Sequence, residues 1–118
     1  MDNTEFYRLL FGKCKDCSVT LMTLPGKQIE HYPAGEAEKV AEDAAKLGAS
    51  TNTYISVWPR RKDIPPGVRG VSEDTQYATC LFADFDVTGP AHKEPNLPPT
   101  KEAVLEHLKS MDKPPTVI

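Results

Sequence analysis

Asp84 and Asp86 are the residues whose type and spacing most directly suggest chemistry. They lie near the end of the longest nearly continuous apolar run, residues 77–87, which reads YATCLFADFDV. A two-residue repeat predicts a strand here, with both carboxylates on one face beside Cys80 and Phe82, and with Leu81, Ala83, Phe85 and Val87 on the other. Two like charges beside a core are costly unless compensated. That leaves three arrangements open: a bound cation, a basic neighbour, or a strand end that has already reached water. The cation is the most specific of these, because hard carboxylate oxygens suit Mg²⁺ or Mn²⁺.

Two other sets of residues carry chemical potential. Cys14-Lys15-Asp16-Cys17 has the spacing of half a zinc site. The other half is missing: His31 is the next candidate ligand, while Cys80 and His92 are distant and near the acidic run. A redox pair of this spacing normally opens a helix after a strand, whereas this one follows a helix and precedes a strand. It therefore reads as a turn. Arg60, Arg61, Lys62 and Arg69 place four basic side chains within ten residues, in a loop stiffened by Pro65, Pro66, Gly67 and Gly70. Guanidinium groups presented this way suit phosphate oxygens, and Trp58 beside them reads as packing with a stacking surface as the alternative.

The elements that must position these groups follow from local signals. Residues 2–11 predict a helix capped by Asp2 with Glu5, apolar at Phe6, Leu9 and Leu10, and ended at Gly12 by a left-handed residue. Residues 18–24 and 28–32 predict a hairpin around a type II turn at Pro25-Gly26. Residues 36–47 are the clearest helix, with Ala37, Val40, Ala41, Ala44 and Leu47 on one face. Residues 53–58 predict a strand stopped by Pro59. Ser72, Glu73 and Asp74 fit a capped turn, and Thr100 fits the cap of a helix over residues 101–109. Thr116, Val117 and Ile118 read as the start of another strand, whose exposed edge offers a route to self-association. The alternation of helices and strands predicts one α/β domain over residues 1–118, with strands 53–58 and 77–87 central and helices 36–47 and 101–109 covering them.

Composition narrows the class. The 118 residues suffice for one domain, and a net charge of −3 does not mark a general nucleic-acid binder, although a local basic patch can act within an acidic chain. No run is long and apolar enough for a membrane span, and the first residues lack the pattern of a signal peptide, so the expected location is the cytoplasm. Three cysteines do not make a disulfide framework.

The aromatic-rich first helix, the Tyr54-Ile55-Ser56-Val57 strand, the basic segment at residues 60–70, the LFADFDV run and the proline-bearing loop before a helix occur in one order. In that order the chain resembles the N-terminal part of the catalytic domain of the archaeo-eukaryotic primase superfamily, in the branch of primase-polymerases of plasmids, phages and mobile elements. The resemblance implies a mixed sheet flanked by helices, and Asp84 and Asp86 as the first catalytic, metal-binding motif. It implies Mg²⁺ or Mn²⁺ as cofactor, a DNA template and nucleoside triphosphates as partners, and phosphate contacts from the region of Arg60, Arg61, Lys62 and Arg69. The family's second motif, with a histidine, and its third, with a carboxylate, would lie beyond Ile118. His92 does not fill the histidine role, because it precedes the intervening helix. On that reading the fragment is inactive alone and belongs to a DNA-dependent primase or polymerase. A metal-dependent nuclease and a non-catalytic replication module remain the alternatives.

Overall fold

The structure, a computed structural model, describes residues 1–117. The chain divides into two compact units, Met1–Leu81 and Phe82–Ile118. The first is a mixed α/β unit containing a four-stranded antiparallel sheet and two helices, in the order α1 (Asn3–Phe11), β1 (Cys17–Leu24), β2 (Ile29–Pro33), α2 (Ala37–Gly48), β3 (Asn52–Ile55) and β4 (Arg60–Arg61). The second contains α3 (Lys101–Ser110).

β1 is the centre of the sheet. One edge pairs with β2, in a register that sets Val19 opposite Tyr32 and Thr20 opposite His31. The other edge is shared: β3 takes the end at Leu21–Leu24, and β4 the start at Cys17 and Ser18. Between them, Ser56 leaves the strand. Its amide donates to the Thr20 carbonyl at 2.9 Å and its hydroxyl accepts from the Thr20 amide at 3.1 Å, so a side chain completes the ladder. This is why the strand expected over residues 53–58 ends at Ile55.

The two faces of β1 are covered differently. Val19 and Leu21 pack with Tyr7 and Phe11 of α1, Tyr32 of β2, and Ala37, Val40 and Ala41 of α2 into one cluster. The small alanines let α2 approach closely, and burial of its apolar face is what holds the helix. The opposite face carries Ser18 and Thr20, which are also buried. Their hydroxyls are satisfied: Ser18 donates to the Arg61 carbonyl at 3.2 Å, and Thr20 Oγ1 lies 3.0 Å from His31 Nδ1. His31 Nε2 lies 3.0 Å from the Val68 carbonyl. A carbonyl only accepts, so Nε2 carries a proton, and in the neutral ring Nδ1 accepts from Thr20. The segment after β4 is thereby fastened over this face, with Ile64 buried beneath it.

Several local expectations are met and several are corrected. The α1 cap forms on both sides, with Glu5 N donating to Asp2 Oδ1 at 2.8 Å and Asp2 N to Glu5 Oε2 at 3.1 Å. Gly12 is right-handed (φ −62°), yet a Cβ there would lie 2.6 Å from the Arg8 carbonyl oxygen, so close approach is what calls for glycine. In the hairpin the left-handed residue is Lys27 (φ 50°) and Gly26 is not left-handed, which excludes the type II turn expected at Pro25-Gly26.

The largest correction concerns residues 77–87, which form no strand. An apolar alternation supplies faces, but a strand also needs a ladder, and residues 77–87 join none. Beyond the isolated Arg60–Thr75 bridge and the bond from Gln76 N to the Pro59 carbonyl, the Cys80 carbonyl is occupied by the Trp58 indole N–H at 2.9 Å. Leu81 is left 98% exposed, and Phe82 and Phe85 are 62% and 47% exposed. Thr116 and Val117 are likewise outside any strand, and Ile118, where that predicted strand would continue, lies outside the described residues.

Gly67 and Gly70 both have a φ of 78°. A Cβ on Gly67 would meet nothing within 4 Å, whereas one on Gly70 would lie 2.9 Å from Asp74 Oδ2 and 3.0 Å from Ile64 Cδ1. Asp74 is pinned by hydrogen bonds and Ile64 by burial, so neither yields freely. Gly67→Ala should lose about 1 kcal/mol, the order of the left-handed penalty. Gly70→Ala should lose about 1–3 kcal/mol more through overpacking. Urea unfolding of the two variants measures the gap, and equal losses would show that the crowding at Gly70 is harmless.

Candidate functional site

The four predicted phosphate-binding cations belong to the first unit, and most are engaged internally. Arg61 Nε donates to Asp74 Oδ1 at 2.6 Å and its Nη1 to Asp63 Oδ2 at 2.7 Å. Lys62 Nζ pairs with Asp16 Oδ1 at 3.0 Å. Arg60 Nη1 donates to the Val71 carbonyl, and its buried Nε has no partner among the described residues. Arg69 is exposed and makes no hydrogen bond or ion pair among the described residues. One of the four is thus wholly uncommitted.

Asp74 is the hub that sequence reading treats only as a turn residue. Its Oδ2 accepts from the Val71 amide at 2.8 Å, closing the 3₁₀ turn Ser72–Asp74, while its Oδ1 takes Arg61. The Val71 N–H, and then the Arg61 guanidinium, hold its carboxyl below the usual carboxylate range.

Asp84 and Asp86 belong to the second unit, and both are exposed. Asp84 has no hydrogen bond or ion pair among the described residues. Asp86 Oδ1 lies 3.5 Å from His92 Nε2, with the side chains 55% and 45% exposed, a contact weak in water. His92 is brought there by a tight turn in which Gly89 N donates to the His92 carbonyl at 3.0 Å and His92 N to the Gly89 carbonyl at 3.2 Å. Thr88 N donates to the Pro98 carbonyl at 2.9 Å, and Thr100 caps α3 by accepting from Ala103 N at 3.2 Å, as expected. The Gly89-x-x-His92 spacing is the signal that could have placed this histidine near the acids. No three His, Cys, Asp or Glu side chains among the described residues form a metal-holding group.

The donor chemistry of the two aspartates still suits a hard cation. Mg²⁺ retains several waters and is commonly held by one or two carboxylates together with substrate phosphates, so exposed carboxylate oxygens are appropriate. Their environment contrasts with that of Asp16, Asp43, Asp63 and Asp74, each of which faces a lysine or arginine.

Two pockets occupy the first unit. One, of about 340 Å³ between α1, α2 and β3, is lined by uncharged residues such as Asn3, Tyr7 and Thr53. The other, of about 310 Å³, is lined by Cys14, Cys17, His31 and Lys62. No helix of the described residues is long and apolar enough to cross a membrane. Comparisons with protein-family models, with curated proteins and with solved structures returned no match.

The Asp74 linkage has a definite sign. A carboxyl with a depressed folded pKa contributes stability that is present above its ordinary value of 3.8 and lost as the pH falls through the folded value. Asp74→Asn should therefore unfold at a lower temperature than the parent chain at pH 7, with the gap narrowing below about pH 3.8. Thermal unfolding followed by circular dichroism at pH 7 and pH 3 gives both gaps. A gap that widens on acidification would contradict the assignment.

Proposed function

We propose that this chain supplies the first acidic motif of a primase-polymerase-type nucleotidyltransferase, with Asp84 and Asp86 as catalytic ligands for Mg²⁺ or Mn²⁺. The observation that supports this reading is the state of the two acids. Both reach water, Asp84 has no cation partner among the described residues, and Asp86 has only a weak contact with His92. Carboxylates unquenched by lysine or arginine are available to an external cation.

A divalent ion held there would neutralise charge on a nucleoside triphosphate and lower the cost of an attacking hydroxyl. The protein's own contribution is to present to solvent two carboxylates that lie two residues apart in the chain. Arg69, exposed in its proline- and glycine-bearing loop, is the best candidate of the four basic residues for a template or nucleotide phosphate. Arg60, Arg61 and Lys62 would first have to exchange their internal partners. The supporting resemblance runs through the order of elements and the Asp84-Phe85-Asp86 triplet.

The direct test uses Mn²⁺ as a paramagnetic probe on the isotope-labelled chain. The amides of Asp84 and Asp86 should broaden at lower Mn²⁺ than those of Asp63 and Asp74, whose carboxylates are already paired. Asp84→Asn and Asp86→Asn should each remove that selectivity without lowering the unfolding temperature. In a protein carrying this chain with the remaining motifs, either substitution should cut template-directed nucleotide incorporation about 10²–10³-fold, as expected when several kcal/mol of charge stabilisation are lost. Preferential broadening at Asp63 and Asp74, or wild-type incorporation by the double variant, would overturn the reading. Metal-dependent cleavage of DNA without incorporation would place the same acids in a nuclease.

A further inference from the structure

The Cys14–Cys17 segment, which reads as a turn in the sequence, acquires a chemical setting in the fold. Cys17 opens the central strand and is fixed there: its carbonyl accepts from Ala34 N at 3.1 Å, and it pairs across the sheet with Arg61. Cys14 lies in the loop after α1, and its amide donates to the Phe11 carbonyl at 2.9 Å. Between them Asp16 takes a left-handed φ of 54°, which bends the chain. Both cysteines line the pocket of about 310 Å³, whose walls also include Asp16, His31 and Lys62.

The two thiols are unequal. Cys17 is only 5% exposed, whereas Cys14 is half-buried and reaches the surface. Burial, followed by the charge of Cys14 and a hydrogen bond from its side chain, pushes the Cys17 thiol up to about 11. Cys17 therefore stays protonated and inaccessible until a partner is delivered to it. Zinc is poorly served here: the third potential ligand, His31, has both ring nitrogens engaged, by Thr20 Oγ1 and by the Val68 carbonyl. Asp16, the remaining potential ligand in its wall, is paired with Lys62, so among the described residues the pocket offers two thiols without a free third ligand, a set suited to sulfur exchange.

We propose that Cys14 and Cys17 form a reversible dithiol–disulfide couple that exchanges with low-molecular-weight disulfides entering this pocket, Cys14 as the attacking thiol and Cys17 as the resolving one. Lys13 and Lys15, both exposed, flank the entry residue and favour a disulfide that carries carboxylates. Cys14 loses its proton to water, and its sulfur attacks one sulfur of R–S–S–R. A Cys14–S–S–R bond forms, the R–S–S–R bond breaks, and the departing RS⁻ takes up a proton. Cys17 then loses its proton and attacks the Cys14 sulfur, forming the Cys14–Cys17 bond and expelling the second RS⁻, which is protonated in turn. Two protein thiols are oxidised by two electrons, and one small disulfide is reduced to two thiols.

The test equilibrates the folded 118-residue chain with oxidised glutathione under native conditions, alkylates the remaining thiols, and maps them by peptide mass spectrometry. The expected product has a Cys14–Cys17 bond, an alkylated Cys80, and full recovery of both thiols after dithiothreitol. Cys17→Ser should instead accumulate a stable glutathione adduct on Cys14. Should that variant fail to fold, the wild-type map alone decides. A persistent glutathione adduct on wild-type Cys14, oxidation confined to Cys80, or tight binding of one Zn²⁺ that protects Cys14 and Cys17 would each overturn the proposal.

Discussion

The first unit depends on β1 being hydrogen-bonded along both edges and covered on both faces. A central strand with Ser18 and Thr20 buried on one face would be unstable if those hydroxyls lacked partners. Ser18 reaches the carbonyls of β4, and Thr20 finds the His31 ring. The amphipathic alternation of β1 therefore resolves into an apolar face under α1 and α2 and a polar face under the segment that follows β4. With β2 on one edge and β3 and β4 on the other, β1 is the strand around which the sheet is assembled, and residues 77–87 join no ladder.

That polar face also accounts for the fate of the basic loop. Arg61, Asp63 and Asp74 tie the loop to itself, and Lys62 ties it to Asp16 before β1. The Arg61–Asp63 and Lys62–Asp16 pairs are exposed and individually weak, whereas Asp74 is largely shielded from water. Here they act together with the backbone bond at Val71, the His31–Val68 contact and the buried Ile64, so the loop is ordered by several small terms. Charge that looks available in the sequence is largely committed to shaping the loop, and Arg69 is the exception.

Local structure was legible in the sequence because its causes are local. Asp2 and Glu5 announce α1, the alanine-lined stripe announces α2, and Thr100 announces α3, each through contacts within a turn or two. The hairpin of β1 and β2 was equally plain, although its left-handed residue moved to Lys27. The fate of residues 77–87 was not legible, because whether an apolar run becomes a strand depends on pairing with another strand, which local alternation does not encode. The Cys14–Cys17 pocket was hidden for a similar reason: His31 and Lys62 reach it only after β2 and β4 have paired with β1. The position of His92 in the chain does not reveal its contact with Asp86, which the turn from Gly89 creates.

β1 occupies the centre of the sheet with both edges filled, and residues 83–86 lie outside any ladder. Amide hydrogen exchange followed by nuclear magnetic resonance measures both at once. The amides of Val19, Thr20 and Leu21 should be among the slowest to exchange, while those of residues 83–86 should exchange at close to unprotected rates. Protection of residues 83–86 equal to that of β1 would mean that the acidic run is a laddered strand after all, and would contradict the account.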